Sequence, residues 1–133
     1  MLEFKVIGRP RGKERPRLGR YGAYTPKKTK EYEEQVQEAF IKEYGNIEPL
    51  EGAIHARILA VFEVPKSYSK KRRQEILEEE SLYSHKPDGD NIAKAILDSL
   101  NGLAFKDDSQ VVCLTVIKLY GEESEVIVQL DKL

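Results

Sequence analysis

Five aspartates, Asp88, Asp90, Asp98, Asp107 and Asp108, fall within 21 residues of this chain. Carboxylate oxygens suit hard divalent cations, and Mg²⁺ typically takes a few carboxylates, keeps several waters and completes its shell on substrate phosphate. Asp88 and Asp90 flank Gly89 at the predicted mouth of a helix. Two carboxylates can converge there, although capping of free backbone N–H groups is the plainer role for Asp90. Asp90, Lys94, Asp98 and Asn101 share one stripe of that helix, opposite an apolar stripe of Ile92, Ala93, Ile96, Leu97 and Leu100. Ion pairs at i, i+4 explain the polar stripe without chemistry, at a few tenths of a kcal/mol each. Asp107 and Asp108 stand directly before an apolar run, where turn aspartates are common but a third carboxylate would complete a metal site. Mg²⁺ is the expected ion, with Mn²⁺ as its substitute.

Other chemistries fit less well. A calcium-binding EF-hand loop starting at Asp88 meets Ile92, Ala93 and Ser99 where it needs Asp or Asn, Gly and Glu. His55 and His85 are the only histidines and Cys113 the only cysteine, which leaves no thiolate zinc site, no disulfide and no evident Ser-His-Asp setting. Metal-assisted phosphodiester hydrolysis remains the best match.

The charge distribution points to the same substrate. The formal net charge of −1 argues against a nucleic-acid binder, yet residues 5 to 30 hold ten basic side chains against one acid, Glu14. Lys66, Lys70, Lys71, Arg72 and Arg73 form a second basic cluster. Segregation of this kind makes a surface able to neutralise phosphates, and Tyr21 and Tyr24 can stack on exposed bases; a solvated loop is the plainer alternative. Arg9, Arg11, Lys13, Arg15, Arg17, Arg20, Lys70, Lys71, Arg72 and Arg73 are the candidate DNA contacts.

The elements that must position these residues follow from periodicity. Leu2, Phe4 and Val6 alternate as in a strand, and a Gly, Pro and Arg-rich loop runs to Tyr24. Thr25-Pro26 reads as an N-cap and first helical residue, Tyr32, Val36 and Phe40 repeat at helical spacing, and Gly45-Asn46 closes that helix. Ile54 to Val64 alternates as a long strand, with His55 on its outer face in a surface-structural role. Ser69 caps a charged helix to Glu80, Asp90 to Asn101 is helical, and Val111–Tyr120 and Glu125–Leu130 read as a C-terminal hairpin. The order predicts one compact α+β domain over residues 1–133, a mixed β-sheet covered by helices. No apolar run approaches the ~20 residues of a membrane helix, so a cytoplasmic protein without membrane association is expected.

The motif Asp88-Gly89-Asp90-Asn91 with Lys94, then Asp98-Ser99-Leu100, then Asp107-Asp108-Ser109-Gln110-Val111, resembles the RusA family of Holliday junction resolvases. The resemblance is specific over residues 86 to 112, and the order of elements is similar over most of the chain, while the basic loop of about residues 9–24 is more variable. It implies that Asp88, Asp90 and Asp108 are the metal-binding catalytic acids and that Lys94 is an essential basic residue beside them. Asp107 is a further ligand candidate, the alternative being that it orients its neighbour. It also implies a homodimer, encoded by a bacterium or phage, that nicks four-way DNA junctions symmetrically with Mg²⁺ in recombination and repair. Two alternatives carry the same residues: a non-catalytic branched-DNA-binding protein, and a nuclease for flaps or other branched DNA.

Overall fold

The computed structural model describes residues Met1–Leu133. In chain order it contains β1 (Leu2–Ile7), β2 (Arg17–Gly19), β3 (Gly22–Tyr24), α1 (Lys27–Tyr44), β4 (Ile54–Glu63), α2 (Lys70–Glu78), α3 (Gly89–Leu100), β5 (Val111–Gly121) and β6 (Glu125–Lys132), with one 3-10 turn at Asp108–Gln110. The expected α+β domain with a mixed sheet is what forms. β1, β6, β4 and β5 lie side by side in that order; β4 runs antiparallel to β6 and parallel to β5.

Alternation along β4 fixes its register. Ile54, Ala56, Ile58, Ala60 and Phe62 are buried under the helices, while Arg57 and Glu63 face solvent. A slip of one residue would expose that apolar set, at about 1.5–3 kcal/mol for each large side chain, and bury Arg57. α1 contributes Tyr32, Val36 and Phe40 to the same core, and α3 contributes Ile92, Ile96 and Leu100. Phe4 of β1 meets Phe40 edge-on, with ring centroids 5.4 Å apart. On the opposite face, His55 shares a hydrogen bond with Thr115 Oγ1 at 3.0 Å, in keeping with its expected structural role.

The predicted C-terminal hairpin does not form, because β4 lies between β5 and β6. β4 is the most buried strand and is paired along both edges, whereas a local hairpin would leave it one partner. The Gly121–Ser124 connection therefore crosses the end of β4. Val64 N–H donates to Gly121 O and Glu63 N–H donates to Ser124 Oγ. At Gly121 a Cβ would collide with Val61 Cγ1, so the crossing requires glycine.

Local boundaries also shift. α1 starts after Pro26, which occupies the cap position without a side-chain bond, so Thr25 is not the cap. Ser69 does cap α2, accepting from Arg72 N–H at 3.2 Å, but α2 stops at Glu78 and Glu80 takes a left-handed φ of 49°. The basic loop folds its second half into the β2–β3 hairpin, which is exposed throughout.

Candidate active site and nucleic-acid interface

Asp88 occupies the N-cap position of α3 with extended backbone, and its side chain makes no capping bond. Asp90 lies in the first turn rather than at the cap, which corrects its expected capping role. Both carboxylates are exposed beside the positive end of the helix, where negative charge is favoured. The approach to Asp88 is braced from below. Lys118 Nζ donates to His85 O at 2.7 Å and to Pro87 O at 2.9 Å. Tyr83, stacked on buried Phe62 at 3.7 Å between centroids, donates its hydroxyl to Lys86 O and accepts from Arg9. Gly89 rests on β5, where an added Cβ would lie 3.6 Å from Val116 Cγ1.

The stripe along α3 is an ion-pair network. Asp98 Oδ2 is 3.3 Å from Lys94 Nζ and 3.4 Å from Lys13 Nζ, and Lys13 also bonds Glu33 Oε1 at 2.8 Å. Burial by itself would lower the Lys13 ammonium, but Glu33 and Asp98 outweigh it and hold its pKa above the ordinary lysine value. Lys13, expected to contact DNA, thus ties the basic loop to α1 and α3. The loop backbone joins in: Lys13 N–H donates to Asn91 O at 2.8 Å, and Glu14 N–H donates to Thr29 Oγ1 at 3.3 Å. At Gly12 a Cβ would lie 3.1 Å from the Cβ atoms of both Asn91 and Pro87, so this crossing is close enough to favour glycine.

The second acidic pair is divided by role. Asp107 accepts from Ser109 N–H at 3.0 Å and caps the 3-10 turn, and these bonds lower its pKa. Gln110 completes the cap: its Oε1 accepts from Lys106 and Asp107 N–H, while its Nε2 donates to Leu50 O and Gly52 O. Asp108 is half-buried in the first position of the turn. The turn precedes Val111, whereas the start of α3 touches Val116; at ~3.3 Å per residue those contact points are offset by roughly 17 Å along β5. Asp88 and Asp90 both stand at the start of α3 while Asp108 stands in the turn before β5, and no three His, Cys, Asp or Glu side chains gather closely enough to hold a metal ion. Two carboxylates of the right chemistry are present at α3, but a three-carboxylate site is not.

The other predicted DNA contacts differ in freedom. Arg9 is held by Tyr83, Arg73 donates to Val64 O, and Arg72 lies 3.8 Å over the Tyr68 ring. Arg17 approaches Glu14 at 3.6 Å, and Arg20 lies over Tyr21 at the hairpin tip. Arg11, Arg15, Lys70 and Lys71 are exposed. Two cations without a nomination from sequence, Lys28 and Lys86, line the same concavity as Asp88. Charge alone marked them, since no motif spacing separates them from other surface lysines.

The family model for endodeoxyribonuclease RusA matches residues 8–131, which include the basic loop, the start of α3 and the Asp107–Gln110 turn. The chain belongs to the RusA endodeoxyribonuclease family. It is also 34% identical, over 97% of its length and 94% of the relative's, to the uncharacterized protein YqaN of Bacillus subtilis (strain 168). RusA membership makes this chain a nuclease of a family that acts on branched DNA, with Holliday junction resolution as the implied activity. No helix of this RusA protein is long and apolar enough to cross a membrane.

Proposed function

We propose that the protein is a Mg²⁺-dependent endodeoxyribonuclease, able to use Mn²⁺ in its place, that resolves four-way DNA junctions by paired symmetric nicks in recombination and repair. The observation that carries this reading is the pair of exposed carboxylates, Asp88 and Asp90, at the N-terminus of α3 under a tethered basic loop. Asp88 and Asp90 would hold the ion, which when bound supplies an activated water and charge stabilisation at the scissile phosphate. Lys94 stands one turn beyond Asp90, 60% exposed, and would add positive charge toward the transition state. Asp108 belongs to the proposed catalytic set, and Asp107 acts by shaping the turn that presents it.

A homodimer follows from the same reading. A four-way junction offers two equivalent strands to a two-fold assembly. One chain also leaves its acids divided between the α3 end and the Asp108 end of β5, and a second copy offers a way to reunite them. β5 is an edge strand, uncharged from Val111 to Ile117, with Val112, Leu114 and Ile117 exposed. Ser81 and Tyr83 pair with its far half, at Tyr120 and Lys118, leaving the near half open. Such an edge is a template for strand pairing, and antiparallel pairing with its own copy is self-complementary. Action on DNA in the cytoplasm of a bacterium, from a host or phage gene, completes the proposal.

The test is cleavage of a synthetic mobile four-way junction with Mg²⁺, beside flap and linear duplexes, Asp90→Asn and a metal-free control. Symmetric nicks confined to the four-way substrate and lost in both controls are expected. Cleavage of flaps in preference would make it a general branched-DNA nuclease. Tight binding without cleavage under Mg²⁺ and Mn²⁺ would make it a non-catalytic binder.

A further inference from the structure

The basic loop and the segment leading into α3 enclose a cavity of about 380 Å³ immediately beside Asp88. Its lining includes Arg9, Arg11, Lys28 and Lys86 together with Asp88 and Asn91, and no aromatic side chain. Not all of its cations are available to a ligand. Lys13 is matched by Glu33 and Asp98, and Arg9 is committed to Tyr83. Arg11, Lys28 and Lys86 are exposed and take part in none of the chain's ion pairs. They approach from three separate pieces of chain, the loop, the first turn of α1 and the entry to α3, each tied down by the contacts described above.

We propose that this cavity seats a backbone phosphate of the cleaved strand, next to the phosphate that is cut, with Lys28 and Lys86 as its previously unassigned ligands beside Arg11. The proposal rests on the nuclease reading and deepens it by giving the site a device that sets the strand's position relative to Asp88. The lining decides the ligand class. A base stacks best on an aromatic face, and no aromatic side chain lines the cavity, whereas unpaired cations fit a phosphodiester. Contacts to phosphate carry no base information, so this seat sets register without choosing the sequence cut. Carboxylates at Asp88 repel the strand on one side and the seat attracts it on the other, which fixes where the backbone crosses.

The experiment measures junction affinity against salt concentration, without divalent metal, for the wild type, Lys28→Ala/Lys86→Ala and a Lys42→Ala control on the far turn of α1. Junctions carrying one neutral methylphosphonate linkage at successive positions around the nick provide the second axis. The double variant is expected to bind with a salt dependence shallower by about 1 in log–log slope, equally on junctions of different sequence, while the control matches wild type. One methylphosphonate position should weaken wild-type binding and cost the double variant, which keeps only Arg11 at the seat, clearly less. An unchanged slope, an equal loss in the control, or additive losses at every position overturns the seat. Because the readout is binding, a seat found in a protein that never cleaves refutes the nuclease reading alone, and cleavage without the seat refutes the seat alone.

Discussion

At the residue scale, the RusA signature separates into side chains with different tasks. Asp88 and Asp90 are free carboxylates, while Asp107 and Gln110 build the turn that carries Asp108. Asp90→Asn should abolish cleavage while leaving junction binding intact or tighter, because it removes negative charge facing phosphate; parallel loss of binding and cleavage would contradict that division. Gln110→Ala removes bonds to four backbone groups. A cost of about 0.5–1.5 kcal/mol in denaturant unfolding is expected, because these largely exposed backbone groups exchange the glutamine for water and lose only the net worth of the bonds. Lys13 gives a pH signature. Its folded pKa is raised, so the stability it contributes is fully present below the unfolded value near 10.5 and is lost as pH rises through the folded value. The difference in melting temperature between wild type and Lys13→Met should stay constant from neutral pH to about pH 10 and shrink above it.

At the element scale, the decisive placement is the basic loop over the start of α3. Its hydrogen bonds to Asn91 and Thr29 and its close passage at Gly12 make the loop a fixed wall. Gly12→Val should push this wall away from Pro87 and Asn91, weakening junction binding severalfold while global stability changes little; unaltered binding would show that the wall does not set the interface. Gly121 governs the other unusual connection. Gly121→Ala drives a Cβ into Val61, and overpacking of this kind costs about 1–3 kcal/mol, to be read from thermal unfolding. These elements were legible to different degrees. Alternation exposed β4, and helical spacing exposed α1 and α3, because their buried faces are contiguous in sequence. The placement of β4 between β5 and β6 is not legible in the sequence, because adjacent apolar runs look alike whether they pair with each other or with a third strand.

At the scale of the whole molecule, one open edge and one divided acid set bear on assembly. If β5 pairs with its copy, Leu114→Lys should shift the protein from dimer to monomer in light scattering and remove cleavage together with it. A dimer that survives this substitution would place the two-fold contact elsewhere. Lys42→Ala, on the remote turn of α1, should alter neither property.

The sequence alone nominated the residues proposed to carry the chemistry and determined where the principal elements run. Oxygen donors in a fixed motif and apolar periodicity are local properties, readable without knowing which segments meet. It also disclosed the segregation of basic charge that a neutral total conceals. Only the tertiary structure decided that Lys13 is neutralised by carboxylates from α1 and α3, that β4 intervenes between β5 and β6, and that Asp108 stands apart from Asp88 and Asp90. The physical reason is common to all three. Charge pairing, strand order and carboxylate spacing depend on distances between segments remote in the chain, and those distances are set by how helices and strands share one core.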